Sequence, residues 1–210
     1  MLINEMHNPC GTRVLVWHLD EEAPQLLALC REAGIGVEDL ETLPVNRQRE
    51  KAAERMLLYR AFGHPVTLTH DAQGAPSVDE EVNISITHTP RLVAVAIDEQ
   101  QVIGLDAEQA DRQQVLKVRD KFLNTGEQQF IAPDDRSSHI IAWTAKEAII
   151  KAERNSALDW TDGICLEPFT LEGQDTDEMT LAASCGAHRY SLTVCRVDGH
   201  YMTVATPCPR

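Results

Sequence analysis

The strongest constraint on this chain is the order of its strand-like and helical runs, which comes round twice. "RVLVWHL" (13–19) reads as a strand, "QLLALCREAG" (25–34) as a short helix closed by Gly34, and "NRQREKAAERMLLYRAFG" (46–63) as a longer amphipathic helix ending in glycine. Strand-like runs follow at 66–70, 82–88 and 92–97, with the turn-rich "DAQGAPS" (71–77) as a break. The second half repeats the mixture: a strand at 102–106, helical segments over 111–131 and 137–154, then strands near 164–171, 179–184, 189–197 and 201–206. No close sequence repeat is visible. The order predicts an α+β fold of two similar halves, residues 1–100 and 101–210, joined near Glu99–Gln101.

Composition removes several function classes. At 210 residues with 43% hydrophobic and 25% charged residues, the chain can bury a core, and no apolar stretch is long enough to cross a bilayer. The start lacks a basic region followed by a sustained apolar one, so a cytoplasmic location is expected. The six cysteines form no C-x-x-C pair, which argues for reduced thiols and against a zinc site. A formal charge of −14 opposes binding to nucleic acid or a membrane surface, both of which are anionic. The loop "EGQDTDE" (172–178) holds four acids and no base and reads as solvated.

One short run raises a chemical question. In "VIGLDAEQ" (102–109) a strand-like stretch ends in Asp106 and Glu108, two positions that share a strand face. Like charges side by side repel, and the offset can come from water, a basic side chain or a hard divalent cation that takes oxygen ligands. Further on, "SSHIIAWTAKEAIIKAER" (137–154) is a helix with Ile141, Ala145, Ala148, Ile149 and Ala152 on one side. Trp143, Glu147 and Lys151 recur at i, i+4 and i+8 on another. A surface Glu–Lys pair with Trp143 as core filler accounts for this helix taken alone.

Together, "GLDAE" (104–108) and "WTAKEAIIK" (143–151) resemble the paired signature of the 4'-phosphopantetheinyl transferases, G-x-D-x-E followed by W-[ST]-x-K-E-[AS]-x-x-K. "ISITHTPRLVAVAI" (84–97) is similar to the family's I-S-H-S segment and following strand, "RQREKAAERMLL" (47–58) to its arginine-bearing helix, and "QGAPS" stands at its G-K-P turn. The resemblance covers about residues 45–155. It looks most like the larger monomeric type that activates synthetase carrier domains, with a pseudo-dimeric pair of halves in one chain.

The resemblance implies transfer of phosphopantetheine from coenzyme A to a serine of an acyl or peptidyl carrier protein, with release of 3',5'-ADP. It implies Mg²⁺ at Asp106 and Glu108, with Glu147 as third carboxylate, direct or through water, and as the group that helps deprotonate the serine. Lys151 would stabilise charge or protonate the departing phosphate, with Lys146 assisting. His88 matches the histidine that holds the pyrophosphate, in a segment where Thr87 and Thr89 replace serines. Arg55 corresponds best to the arginine that meets the 3'-phosphate of coenzyme A, with Arg47 or Arg49 reaching the same anion.

Other positions depart from the pattern. Ala75 stands where the family has lysine, Ala107 replaces a branched residue, and Glu127 keeps the acid of a loosely matching F-[FS]-x-x-E segment, for helix capping or orientation of the site. An acidic carrier needs a local basic patch, for which "RQQVLKVRDK" (112–121) is the candidate, with Arg112, Lys117, Arg119 and Lys121. Two other readings use the same residues: a different Mg²⁺-dependent enzyme of phosphate esters or anhydrides, and a catalytically silent carrier-binding protein. The first lacks any glycine-rich phosphate loop, and the second leaves the charged set unexplained.

Overall fold

A computed structural model describes residues 3–171 and 178–209. The chain divides into two compact units, Met1–Gln100 and Gln101–Arg210, and both mix helix and strand. None of the described helices is long and apolar enough to cross a membrane.

In the N-terminal unit, β1 (Ile3–His7), β2 (Arg13–His18), β5 (Asn83–Thr89) and β6 (Leu92–Asp98) form an antiparallel sheet in the order β1-β2-β6-β5. Alternate residues Leu15, Trp17, Val93 and Val95 face α1 (Ala23–Glu32) and α2 (Val45–Phe62), and pack with Leu26, Cys30, Leu57 and Leu58 into one core. α2 stops at Gly63, whose left-handed φ of 78° a side chain would strain. A small hairpin joins β3 (Thr69–His70) to β4 (Pro76–Ser77) around a turn that Asp71 closes by accepting from the Gln73 and Ala75 backbone N–H groups.

In the C-terminal unit, β7 (Gly104–Gln109) is followed by two short helices, α3 (Gln114–Lys117) and α4 (Glu127–Phe130), and then by the long α5 (Arg136–Glu153). β8 (Ile164–Leu166), β9 (Glu178–Cys185), β10 (His188–Val197) and β11 (His200–Pro207) complete an antiparallel sheet in the order β7-β11-β10-β9-β8. α5 starts where the Asp135 side chain accepts from Ser138 N. Its Ile141, Ala145, Ala148, Ile149 and Ala152 are buried, and the helix packs chiefly on β7 and β11. Gly104 makes this approach possible, because a Cβ there would overlap the Ala148 carbonyl.

Several expected boundaries are corrected. The strand expected at 102–106 begins at Gly104 and runs to Gln109, because pairing with β11 continues to Gln109↔His200. Asp106 and Glu108 therefore lie inside the strand, not at its end. The helical segments expected over 111–131 are α3, a 3₁₀ turn at Arg119–Lys121 and α4, kept short by tight bonds such as Val118 N to Val115 O. Of 66–70 only β3 is strand, and the break at 71–77 contributes β4. The strand near 164–171 stops at Leu166, two residues before Pro168, which has no N–H to donate. β1 adds a strand that its sequence, Ile-Asn-Glu-Met-His, does not signal, since it shows no sustained apolar alternation. Most of the acidic loop at 172–178 lies outside the described residues, and Glu178 opens β9.

Candidate active site

β7 lays Gly104, Asp106 and Glu108 along the face that α5 covers, and sends Leu105 and Ala107 to the other. Lys151, near the end of α5, donates to Asp106 Oδ1 at 2.8 Å and to the Leu105 carbonyl at 2.8 Å. Glu147 sits one helical turn before Lys151. Burial raises the Glu147 carboxyl above its ordinary range and the charge of Asp106 adds to this, against Lys151 and Arg112, which lower it. Asp106, Glu147, Lys151 and Arg112 thus share one electrostatic neighbourhood.

Glu108 is paired with Arg112, four residues on, just past the strand. The Arg112 guanidinium lies over the Trp143 ring, 5.2 Å from its centroid. Trp143 is fixed in turn by edge contact with Phe122 at 5.2 Å and by Trp160 at 4.7 Å between ring centroids. The repulsion between the two strand acids is thus offset in part by the protein itself: a basic side chain stands beside each of them.

Lys146 occupies a different place from the rest of its motif. It is fully buried, and its ammonium donates to Glu127 Oε2 at 2.7 Å, Trp160 O at 2.6 Å and Ile164 O at 3.0 Å. Those three acceptors use all three of its protons. Burial lowers its pKa, and the Glu127 carboxylate works the other way. Glu127 also accepts from the backbone N–H groups of Asn124 and Leu166. This pair fastens α4 and β8 to α5, so the expected phosphate-side role of Lys146 gives way to a place in the core.

In the N-terminal unit, the exposed His88 meets Arg47, whose Nη1 is 3.0 Å from His88 Nε2 and which also pairs with Glu50 at 2.5 Å. Arg49 is turned to the carbonyls of Leu19 and Glu21 at 2.6 and 2.8 Å. Arg55 makes a forked pair with Asp39 and donates to Gly36 O, and its hydrogen bonds, helped by its charge, hold the Asp39 carboxyl below the usual range. Thr87 is buried in β5. Of the arginines on α2, Arg47 is the one that stands with His88. Alternation along β5, which turns His88 to the side opposite Thr87, is the signal that separates those two residues.

Among the described residues, no group of three or more His, Cys, Asp or Glu is gathered as a metal cage. All six cysteines are free thiols.

Residues 102–205, from two residues before β7 almost to the end of β11, match the sequence model of the 4'-phosphopantetheinyl transferase superfamily. Residues 102–205 thus carry a domain of that superfamily, which supports a transferase of the phosphopantetheinyl type. A comparison with curated proteins gives no match.

Proposed function

We propose that the protein transfers 4'-phosphopantetheine from coenzyme A to a serine hydroxyl of an acyl or peptidyl carrier protein, with Mg²⁺, as a monomer of the larger type with two pseudo-dimeric halves in one chain. The observation that carries this reading is the convergence of Asp106, Glu147 and Lys151 on one face of β7 and α5, within the stretch matched to the superfamily.

The chemistry balances on these groups. The serine oxygen bonds to the phosphorus that bears pantetheine, the P–O bond to 3',5'-ADP breaks, and the serine proton leaves through a base. Glu147 suits that role, since burial and the charge of Asp106 make it a better proton acceptor than an exposed carboxylate. Lys151 places a positive charge beside it, where charge develops on the departing phosphate.

The donor set fits Mg²⁺, a hard cation held by one or two carboxylates while water and substrate phosphate fill its other positions. A three-acid cage is not required. Asp106 and Glu108 would hold the ion, with Glu147 reaching it directly or through water, and when bound it neutralises phosphate charge. In the N-terminal unit, His88 with Arg47 supplies the basic pair for coenzyme A phosphates, ahead of Arg49 and Arg55, whose guanidinium groups are turned to the protein's own acceptors.

The test is incubation with coenzyme A, Mg²⁺ and several apo carrier proteins, followed by mass spectrometry of each carrier. Phosphopantetheine on the carrier serine is the expected result. Unmodified carriers throughout would overturn the reading.

A further inference from the structure

We infer that Arg112 is a built-in counter-ion that competes with the divalent cation for Glu108, and that Trp143 is the platform that holds it there. This rests on the metal reading given above. Three observations converge on Arg112. Its guanidinium is paired with Glu108, it lies over the Trp143 ring at 5.2 Å, and its charge is felt at Glu147. Trp143 is itself clamped between Phe122 and Trp160 and cannot turn away without disturbing both. The loop that carries Arg112 is tied to the sheet, with Ala110 N bonded to Gly199 O at 2.8 Å and Arg112 N to Gln109 O at 3.1 Å. A long, flexible cation is thereby kept in one position at little entropic cost.

The consequence concerns the metal-free protein. Arg112 holds Glu108 Oε1, so a cation that takes that oxygen must displace the guanidinium, and part of the cation's attraction is spent on doing so. The arrangement also gives the motif tryptophan a task beyond filling the core. Trp143 acts by positioning Arg112.

Mn²⁺ binding measured without substrate tests this, by electron paramagnetic resonance of the free ion. Arg112→Gln should bind Mn²⁺ about five- to tenfold more tightly than the unaltered protein, given the strength of a half-exposed ion pair supported by a ring. Arg119→Gln removes the same unit of charge from the same segment, where Arg119 pairs with Asp120 and not with Glu108, and should change binding less than about twofold. Trp143→Leu, which keeps the charge and removes the ring face, should give an intermediate gain.

Equal or weaker binding by Arg112→Gln overturns the inference, as does an equal gain from Arg119→Gln, which would mean that overall charge alone is responsible. A gain in Arg112→Gln with none in a folded Trp143→Leu overturns the role of Trp143. If no variant binds Mn²⁺ at all, both the inference and the metal reading fall. Equal binding by all four proteins overturns the inference alone.

Discussion

Two neighbouring residues of one motif, Lys146 and Glu147, face different surroundings and should fail in different ways when changed. Glu147 has a carboxyl raised by burial and by Asp106, so the native state holds its proton more tightly than the unfolded chain does. Stability from this group is therefore fully present below the ordinary value of 4.5 and is lost as pH rises through the raised native value. With divalent cations chelated, Glu147→Gln should melt higher than the unaltered protein at neutral pH and show no such advantage at about pH 4. Thermal melts across that range check the sign, and the same variant should abolish transfer. Lys146→Met should instead leave Glu127 buried without its counter-charge and cost about 3 kcal/mol in urea unfolding. The molecules that remain folded should keep their KM for coenzyme A, whereas a lysine that gripped phosphate would raise it. The sequence contained a signal for this difference: Ala142 and Ile149, four before and three after Lys146, both lie on the buried side of α5. Motif matching treats the two lysines alike, and only the helix phase separates them.

At the scale of elements, the site depends on how closely α5 lies on β7. Gly104 sets that distance, and Gly104→Ala should cost about 3 kcal/mol and lower transfer in proportion to the folded fraction, measured by circular dichroism beside the carrier assay. α5 itself was legible from its apolar stripe, β5 from its alternation, β2 and β6 from short continuous apolar runs, and α2 from a long run of helix-forming residues closed by Gly63. The segment between β7 and α5 was legible as helical, but not where its pieces break. Val115, Leu116, Phe122 and Leu123 are spaced as if on one long helix, but the chain instead folds them under in short turns, with Asn124 and Glu127 exchanging side-chain to backbone bonds. The full length of β7 was hidden for another reason. Strand pairing with β11 continues through acidic residues that local pattern reads as a strand end.

For the whole molecule, a net charge of −14 sets the terms of any encounter with an acidic carrier protein. Of the basic run at 112–121, Arg112 is committed to Glu108 and Arg119 to Asp120, while Lys117 and Lys121 are exposed. The expected four-cation patch thus comes down to two lysines. Replacing both with glutamate should raise the KM for an acidic carrier about fivefold or more at low ionic strength, leave the KM for coenzyme A unchanged, and lose most of its effect in 1 M salt. Steady-state kinetics at two salt concentrations would show it, and an unchanged carrier KM would move docking elsewhere. The division at Gln100 and the mixture of helix and strand in each half follow the order of runs along the chain. The sequence lists the arginines of α2 without saying where each one reaches: Arg47, paired with Glu50, stands beside His88, whereas Arg55 is turned to Asp39.

The seating of α5 on β7 would also leave a comb-like trace in a saturation library over residues 104–108. At 104, 106 and 108 the surviving variants would be almost monotonous, one position closed by the helix backbone and two by the ions they answer to. At 105 and 107, which point away from α5 and are buried, the survivors would be a varied set of apolar residues, so that tolerance rises and falls with every second codon.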